Sequence, residues 1–240
     1  PQRHVGQHSG LRCGGALAPE NTLAGLRIAA RLGCRGVEFD AMLSRDVVPV
    51  VIHDETLERT TRGHGEVASL SVAELRQLDA GSQFHPAFAG ERLPTLAEIL
   101  TACRDLGLWA NVEIKPSLGR DAETGTGVAL VAREFGNIVL SSFSQEALLN
   151  AAGVAGDLPR ALLVESDSHD WLDSMRRVGA HALHAAHQLL TADSLRPLRV
   201  AAVPVAAYTV NRRADAERLF ALGVSSVFTD RPDHWLAHEM

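Results

Sequence analysis

Apolar and polar positions along this chain follow two rhythms that trade places at short intervals. Leu23, Leu26 and Ala30, with the stem of Arg27, recur at helical spacing, so a helix is predicted over 22–32, with Asn21 or Thr22 as its cap and Gly33 as its stop. A strand, "CRGVEFDAML", follows. After the polar break "SRD" comes "VVPVVIHD", the unbroken apolar run of a strand buried on both faces. The alternation then continues: helix "TLAEILTACRDLG", strand "WANVEIK", helix "GVALVAREFG", strand "NIVLSSF", helix "QEALLNAAG", strand "RALLVES", helix "WLDSMRRVGA", strand "HALHAA", helix "SLRPLR", strand "VAAYTV", helix "ADAERLFALG" and strand "SSVFTD".

Repeated strand-helix units of this length imply an α/β fold with a parallel sheet, open or closed into a barrel. A first strand before Arg12 brings the candidates to nine. An eightfold barrel takes one fewer, so either 36–42 or 48–53 is expected to be a hairpin arm or irregular. Between His53 and Thr95 the chain is rich in Gly, Thr and charge, with one short helix, "SVAELRQLD". That is too long for an ordinary connection, and it reads as a lid or small insertion on the functional face.

Composition narrows the partner. The chain has 240 residues, 46% of them hydrophobic, enough to bury the core of one domain. Its formal net charge of -6 argues against nucleic acid, whose binders need a basic face, and favours a small molecule. Cys13, Cys34 and Cys103 are odd in number and widely spaced, as expected of buried thiols in a reducing compartment. No apolar run approaches the roughly 20 residues of a membrane span, and "PQRHVGQHSG" has no signal-peptide core, so a cytoplasmic location without membrane insertion is expected.

In a parallel barrel the chemistry sits at the carboxyl ends of the strands. There the sequence places Glu38 and Asp40, two apart and so on one face; His53-Asp54; Glu113 and Lys115, again two apart; and Thr229-Asp230. Three carboxylates from two strands at one mouth would repel unless a cation sat among them, and hard oxygen ligands suit Mg²⁺ or Ca²⁺ better than zinc. Arg12, on its glycine loop, and Lys115 supply positive groups for an anion such as a phosphate, and His53 is placed to move a proton. The combination describes metal-assisted phosphoryl chemistry. His181, His184 and His187, at spacing three, would not share a face of the strand "HALHAA" and are read as packing.

The segments "LAPENT", "GVEFDAMLSRD", "PVVIHDETLERTTRGHG", "ERLPTLAEIL", "NVEIKP", "LSSFS", "YTVN" and "FTDRPD" fall in order over nearly the whole chain. By these motifs the sequence resembles the bacterial cytosolic glycerophosphodiester phosphodiesterases. The resemblance implies a (β/α)8 TIM barrel forming a single domain over 1–240, with a small insertion at about 54–94 after the His-Asp strand. It also implies hydrolysis of glycerophosphodiesters to sn-glycerol 3-phosphate and an alcohol. By position it makes Glu38, Asp40 and Glu113 the ligands of a divalent metal, Arg12 and Lys115 the phosphate grips, His53 one of two acid/base histidines, and Glu20 a support of the loop.

The family's first strand is an apolar run ending in His-Arg-Gly; here the same place reads Leu11-Arg12-Cys13. The second acid/base histidine is replaced by a side chain that cannot carry a proton, and losing one such group lowers a rate by about 10²–10⁴-fold. His8 stands three positions earlier, on the opposite face of an extended chain. Cys13 and Val47 replace glycines of the family pattern, at a cost if those positions need positive φ. Two other readings follow: a silent phosphodiester- or metal-binding protein of the same fold, and a phosphodiesterase of lysophospholipids or phosphoinositides, for which Phe84 and Phe88 offer some apolar surface.

Overall fold

The computed structural model of the chain describes residues 7–166 and 170–236. Eight parallel strands close on themselves: β1 (Gln7–Gly10), β2 (Gly36–Leu43), β4 (Trp109–Ile114), β5 (Ile138–Ser142), β6 (Arg160–Val164), β7 (Ala182–Ala186), β8 (Val205–Tyr208) and β9 (Ser226–Thr229). Helices alternate with them as α1 (Leu23–Arg31), α3 (Leu96–Asp105), α4 (Asp121–Ala132), α5 (Gln145–Val154), α6 (Trp171–Val178), α7 (Ala192–Val200) and α8 (Arg213–Ala221), before a last turn, α9 (Asp233–Leu236). The fold is a (β/α)8 TIM barrel. Closure runs through β1, where Ser9 pairs with both Phe228 of β9 and Gly36 of β2.

Of the two candidates for a hairpin arm, the structure makes it the second: β3 (Pro49–Val51) runs antiparallel to the far end of β2, with Ala41 opposite Val51. The eight residues of β2 therefore serve the barrel first and the arm second. Between β3 and α3 the chain folds over its own small core, in which Leu57, Val67, Leu75 and Leu93 pack on Met42, Val50 and Ile52. Within this segment α2 (Val72–Leu75) opens on a capping box between Ser71 and Glu74.

At α1 the structure chooses between the two expected caps, and at α4 the start differs from the expectation. Thr22 alone caps α1, accepting from the Gly25 N–H, which leaves Asn21 free for another contact. Helix α4 starts at Asp121, a full turn and more before the apolar run at Gly127. Its early part, "DAETGT", carries no apolar stripe. A Cβ on Gly125 would lie 2.3 Å from the Ala147 carbonyl, so a bare backbone face packs against α5.

Strand parity divides the side chains. Val37, Phe39, Val112 and Leu140 point outward into the main core beneath α1, α3, α4 and α5. Register places Asp40 beside Glu113 and Glu38 beside Asn111, turned inward. Lower in the barrel the Trp109 ring lies over Gly36, where a Cβ would come within 2.1 Å of the indole. The three cysteines are free and buried, and burial pushes the Cys34 thiol up to about 11 and Cys103 up to about 12. Among the described residues no helix is long and apolar enough to cross a membrane.

Candidate active site

The carboxyl ends of β2 and β4 carry the acidic residues into the barrel mouth because alternate positions share a face. Glu38, Asp40 and Glu113 each present an oxygen within 4.8 Å of the others, and both β2 carboxylates are buried. Their neighbours do not neutralise them. Lys115 Nζ stands 3.5 Å from Glu113 and 3.9 Å from Asp40, and Arg12 Nε stands 3.9 Å from Asp40. Burial, then the charge of Asp40, pushes the Glu113 carboxyl up to about 7. Burial, then Asp40 and Glu113, pushes Glu38 well above its ordinary value despite the Arg12 N–H at 2.9 Å.

A cluster that must bind protons to relieve its own charge fits a divalent cation. Two oxygens on opposite sides of a calcium ion, each at roughly 2.3–2.6 Å, lie about as far apart as the widest pair here. The donors are all carboxylate oxygens, the hard ligands that Mg²⁺ and Ca²⁺ prefer.

Above the carboxylates, Arg12, His53, Lys115 and Leu11 line the same cavity of about 370 Å³. His53 Nδ1 lies 2.6 Å from Asp54 Oδ1, and its Nε2 lies 2.9 Å from Lys115 Nζ. Lysine can only donate, so Nε2 accepts and the Nδ1–H donates to Asp54. Of the residues picked from the strand ends and the glycine loop, Glu38, Asp40, Glu113, Arg12, Lys115 and His53 thus meet at one place. Leu11 is there too, its N–H bound to the Thr229 carbonyl, so an apolar side chain occupies the front of the site.

The loop behind Leu11 has unusual backbone. Arg12 and Cys13 have φ of 46° and 70°, and Val47 in the β2–β3 turn has φ of 61°. These are left-handed conformations that glycine adopts without steric strain. The backbone of His8 lies in β1, but its side chain lies outside the described residues.

Several site residues escaped the sequence reading. Asn21, taken only as a possible cap, grips Asp40: its Nδ2 donates to Oδ2 at 2.9 Å, and its Oδ1 accepts from the Asp40 N–H at 3.3 Å. Arg59 reaches Glu20 and Asp54 from the segment after β3. Glu165, just past the end of β6, lines the cavity, and the strand-end rule applied to "RALLVES" picks it out. Phe143, Tyr208 and His184 complete the wall. Burial pushes His184 down to about 4, so it is a neutral ring. His181 instead accepts from the Arg160 N–H, and the three histidines form no cluster. Asp230 takes no part in the carboxylate cluster: it accepts from Asn211 and faces a second cavity with Arg12, Glu20, Arg59 and Phe84.

The model of the glycerophosphoryl diester phosphodiesterase family matches residues 12–234. A glycerophosphodiester phosphodiesterase of Caldanaerobacter subterraneus subsp. tengcongensis is 33% identical over 218 residues, covering 90% of each chain. One from Bacillus subtilis is 29% identical over 238 residues, covering 90% of this chain and 80% of its own. Among solved structures, an Oleispira antarctica phosphodiesterase in complex with the product sn-glycerol-3-phosphate superimposes with a TM-score of 0.91 at 32% identity, covering 95% of this chain and 94% of that one.

Proposed function

The chain belongs to the glycerophosphoryl diester phosphodiesterase family, and from that premise we propose that it hydrolyses glycerophosphodiesters to sn-glycerol 3-phosphate and an alcohol, at a rate lowered by Leu11. The observation that supports this reading is the meeting of Glu38, Asp40 and Glu113 beneath Arg12, Lys115 and His53 in one cavity. Glu38, Asp40 and Glu113 would hold a divalent ion, Mg²⁺ or Ca²⁺, which supplies Lewis-acid polarisation and charge neutralisation at the phosphate.

The protein's own groups do the rest. Arg12 and Lys115 pair with the non-bridging oxygens and orient the phosphorus. Asp54 fixes the His53 tautomer, so that Nε2, facing the cavity, exchanges a proton with the attacking water or the departing alcohol. Water adds its oxygen to phosphorus, the ester P–O bond breaks and the alcohol leaves with a proton. The resemblance implies two proton carriers for these two transfers. With Leu11 in place of one, the solvent must serve at one of them.

The test is release of glycerol 3-phosphate from glycerophosphocholine with Mg²⁺ or Ca²⁺. Asp40→Ala is expected to lower turnover on the order of 10³-fold, the weight of several kcal/mol of charge stabilisation. Turnover no higher than in that variant refutes hydrolysis. Calorimetric binding of the diester without product would then favour the silent binding protein, for which Leu11 is the specific support.

A further inference from the structure

Two loops carry the groups that must face the phosphate, and one side chain joins them. Glu20, in the β1–α1 loop, accepts from Arg12 Nη1 at 3.3 Å. Asp54, after β3, receives the Nδ1–H of His53. Arg59 spans both. Its Nη1 and Nη2 donate to the two oxygens of Glu20 at 2.8 Å each, its Nη2 also donates to Asp54 Oδ1 at 3.0 Å, and its Nε donates to Asp54 Oδ2.

We infer that Arg59 is a positioning residue, a planar fork that locks the Glu20–Arg12 arm and the Asp54–His53 arm into one frame; the inference rests on the hydrolytic reading of the site. Only a guanidinium can make two sideways bidentate contacts at once, because its donors are fixed in a plane, whereas an ammonium is a single point of charge. The Arg59 fork is also the foremost cause holding the Asp54 carboxyl well below its usual range.

The Arg59 side chain is 45% exposed, where ion pairs add little to stability. Its effect therefore falls on orientation. Without the fork, Asp54 is free to turn about its χ angles, and the His53 ring with it. A small misplacement of a reacting group costs about 10²-fold in rate.

Arg59→Ala, assayed on glycerophosphocholine with saturating Mg²⁺ or Ca²⁺, is expected to keep its melting temperature within a few degrees while kcat falls about 10²-fold. Millimolar guanidinium should restore part of that loss. Arg59→Lys, which keeps the charge and loses the fork, should remain well below wild type. A second readout does not depend on turnover. Long-range ¹H–¹⁵N spectra of histidine-labelled protein, with His53 assigned by its loss in His53→Asn, should show the Nδ1–H tautomer in wild type and a mixed or broadened ring in Arg59→Ala. An unchanged His53 ring in Arg59→Ala overturns the clamp whatever the rate. A wild type without turnover refutes the hydrolytic reading, and the ring spectra still decide the clamp.

Discussion

The two walls of the catalytic cavity are built differently. The wall formed by β2 and β4 sits inside a continuous parallel ladder, with Asp40 in register beside Glu113 and held by Asn21 of the β1–α1 loop. The adjoining wall is the turn after β1, the strand beside β2, where a leucine fills the front and two successive residues have left-handed backbone. One wall gathers the carboxylates; the other carries Arg12 and the position at which the resemblance implies a proton carrier. On the reading proposed above, the three carboxylates and the position of the missing proton carrier lie on different elements, so a sequence can lose the one while keeping the other.

Leu11→His tests that separation most sharply. Restoring a proton carrier is expected to raise kcat by about 10²–10⁴-fold while leaving metal affinity within a few-fold of wild type. An unchanged kcat would mean that proton transfer at this wall does not limit the rate, and the contrast between the walls would lose its functional meaning.

The acidic wall has its own signature in stability. Glu113 sits at about 7 in the folded protein against an ordinary 4.5, and Glu38 shifts the same way. A carboxyl whose pKa is raised by folding holds its proton more tightly in the folded state. Its contribution is therefore complete below the unfolded value and is lost as pH rises through the folded one. Asp54 and Asp79, held low by hydrogen bonds, act in the opposite sense and only in more acidic solution. The metal-free protein should lose on the order of 5–10 °C of melting temperature between about pH 4.5 and 7.5, from a shift worth about 3 kcal/mol. Saturating Mg²⁺ or Ca²⁺ should remove most of that fall. A flat metal-free profile would show that the cluster is not short of positive charge.

What the sequence made legible follows strand by strand. Side-chain period and strand ends located Glu38, Asp40, Glu113 and Lys115, because an i, i+2 pair must share a face wherever the strand lies. The strand count showed that one of 36–42 and 48–53 was surplus to the barrel, and the antiparallel pairing of β3 with β2 decides which. Residues joined across the chain were hidden. Nothing local links Arg59 to Glu20, which are 39 positions apart, or Asn21 to Asp40. The first part of α4 was hidden for another reason, since Gly125 packs by backbone and leaves no apolar stripe to read.

The smallest predicted effect concerns the strained glycine sites, where packing separates two changes that look alike. Val47 has φ of 61°, is 43% exposed, and closes the β2–β3 turn with its N–H on the Ser44 carbonyl at 3.1 Å. A side chain with a Cβ costs roughly 1–2 kcal/mol in that region, and a β-branched one falls at the upper end. Glycine removes the strain but adds roughly 0.5–1 kcal/mol of unfolded-state entropy. Val47→Gly should therefore stabilise the fold by about 0.5–1 kcal/mol, a rise in melting temperature of about 2–4 °C per kcal/mol. Cys13 has φ of 70°, yet it is fully buried in the core with Leu26 and Ala29, so Cys13→Gly gives up packing for the same relief. It should gain less than Val47→Gly or lose stability outright. A larger gain at Cys13 than at Val47 would show that strain at the front wall outweighs the packing of its side chain, reversing the order argued here.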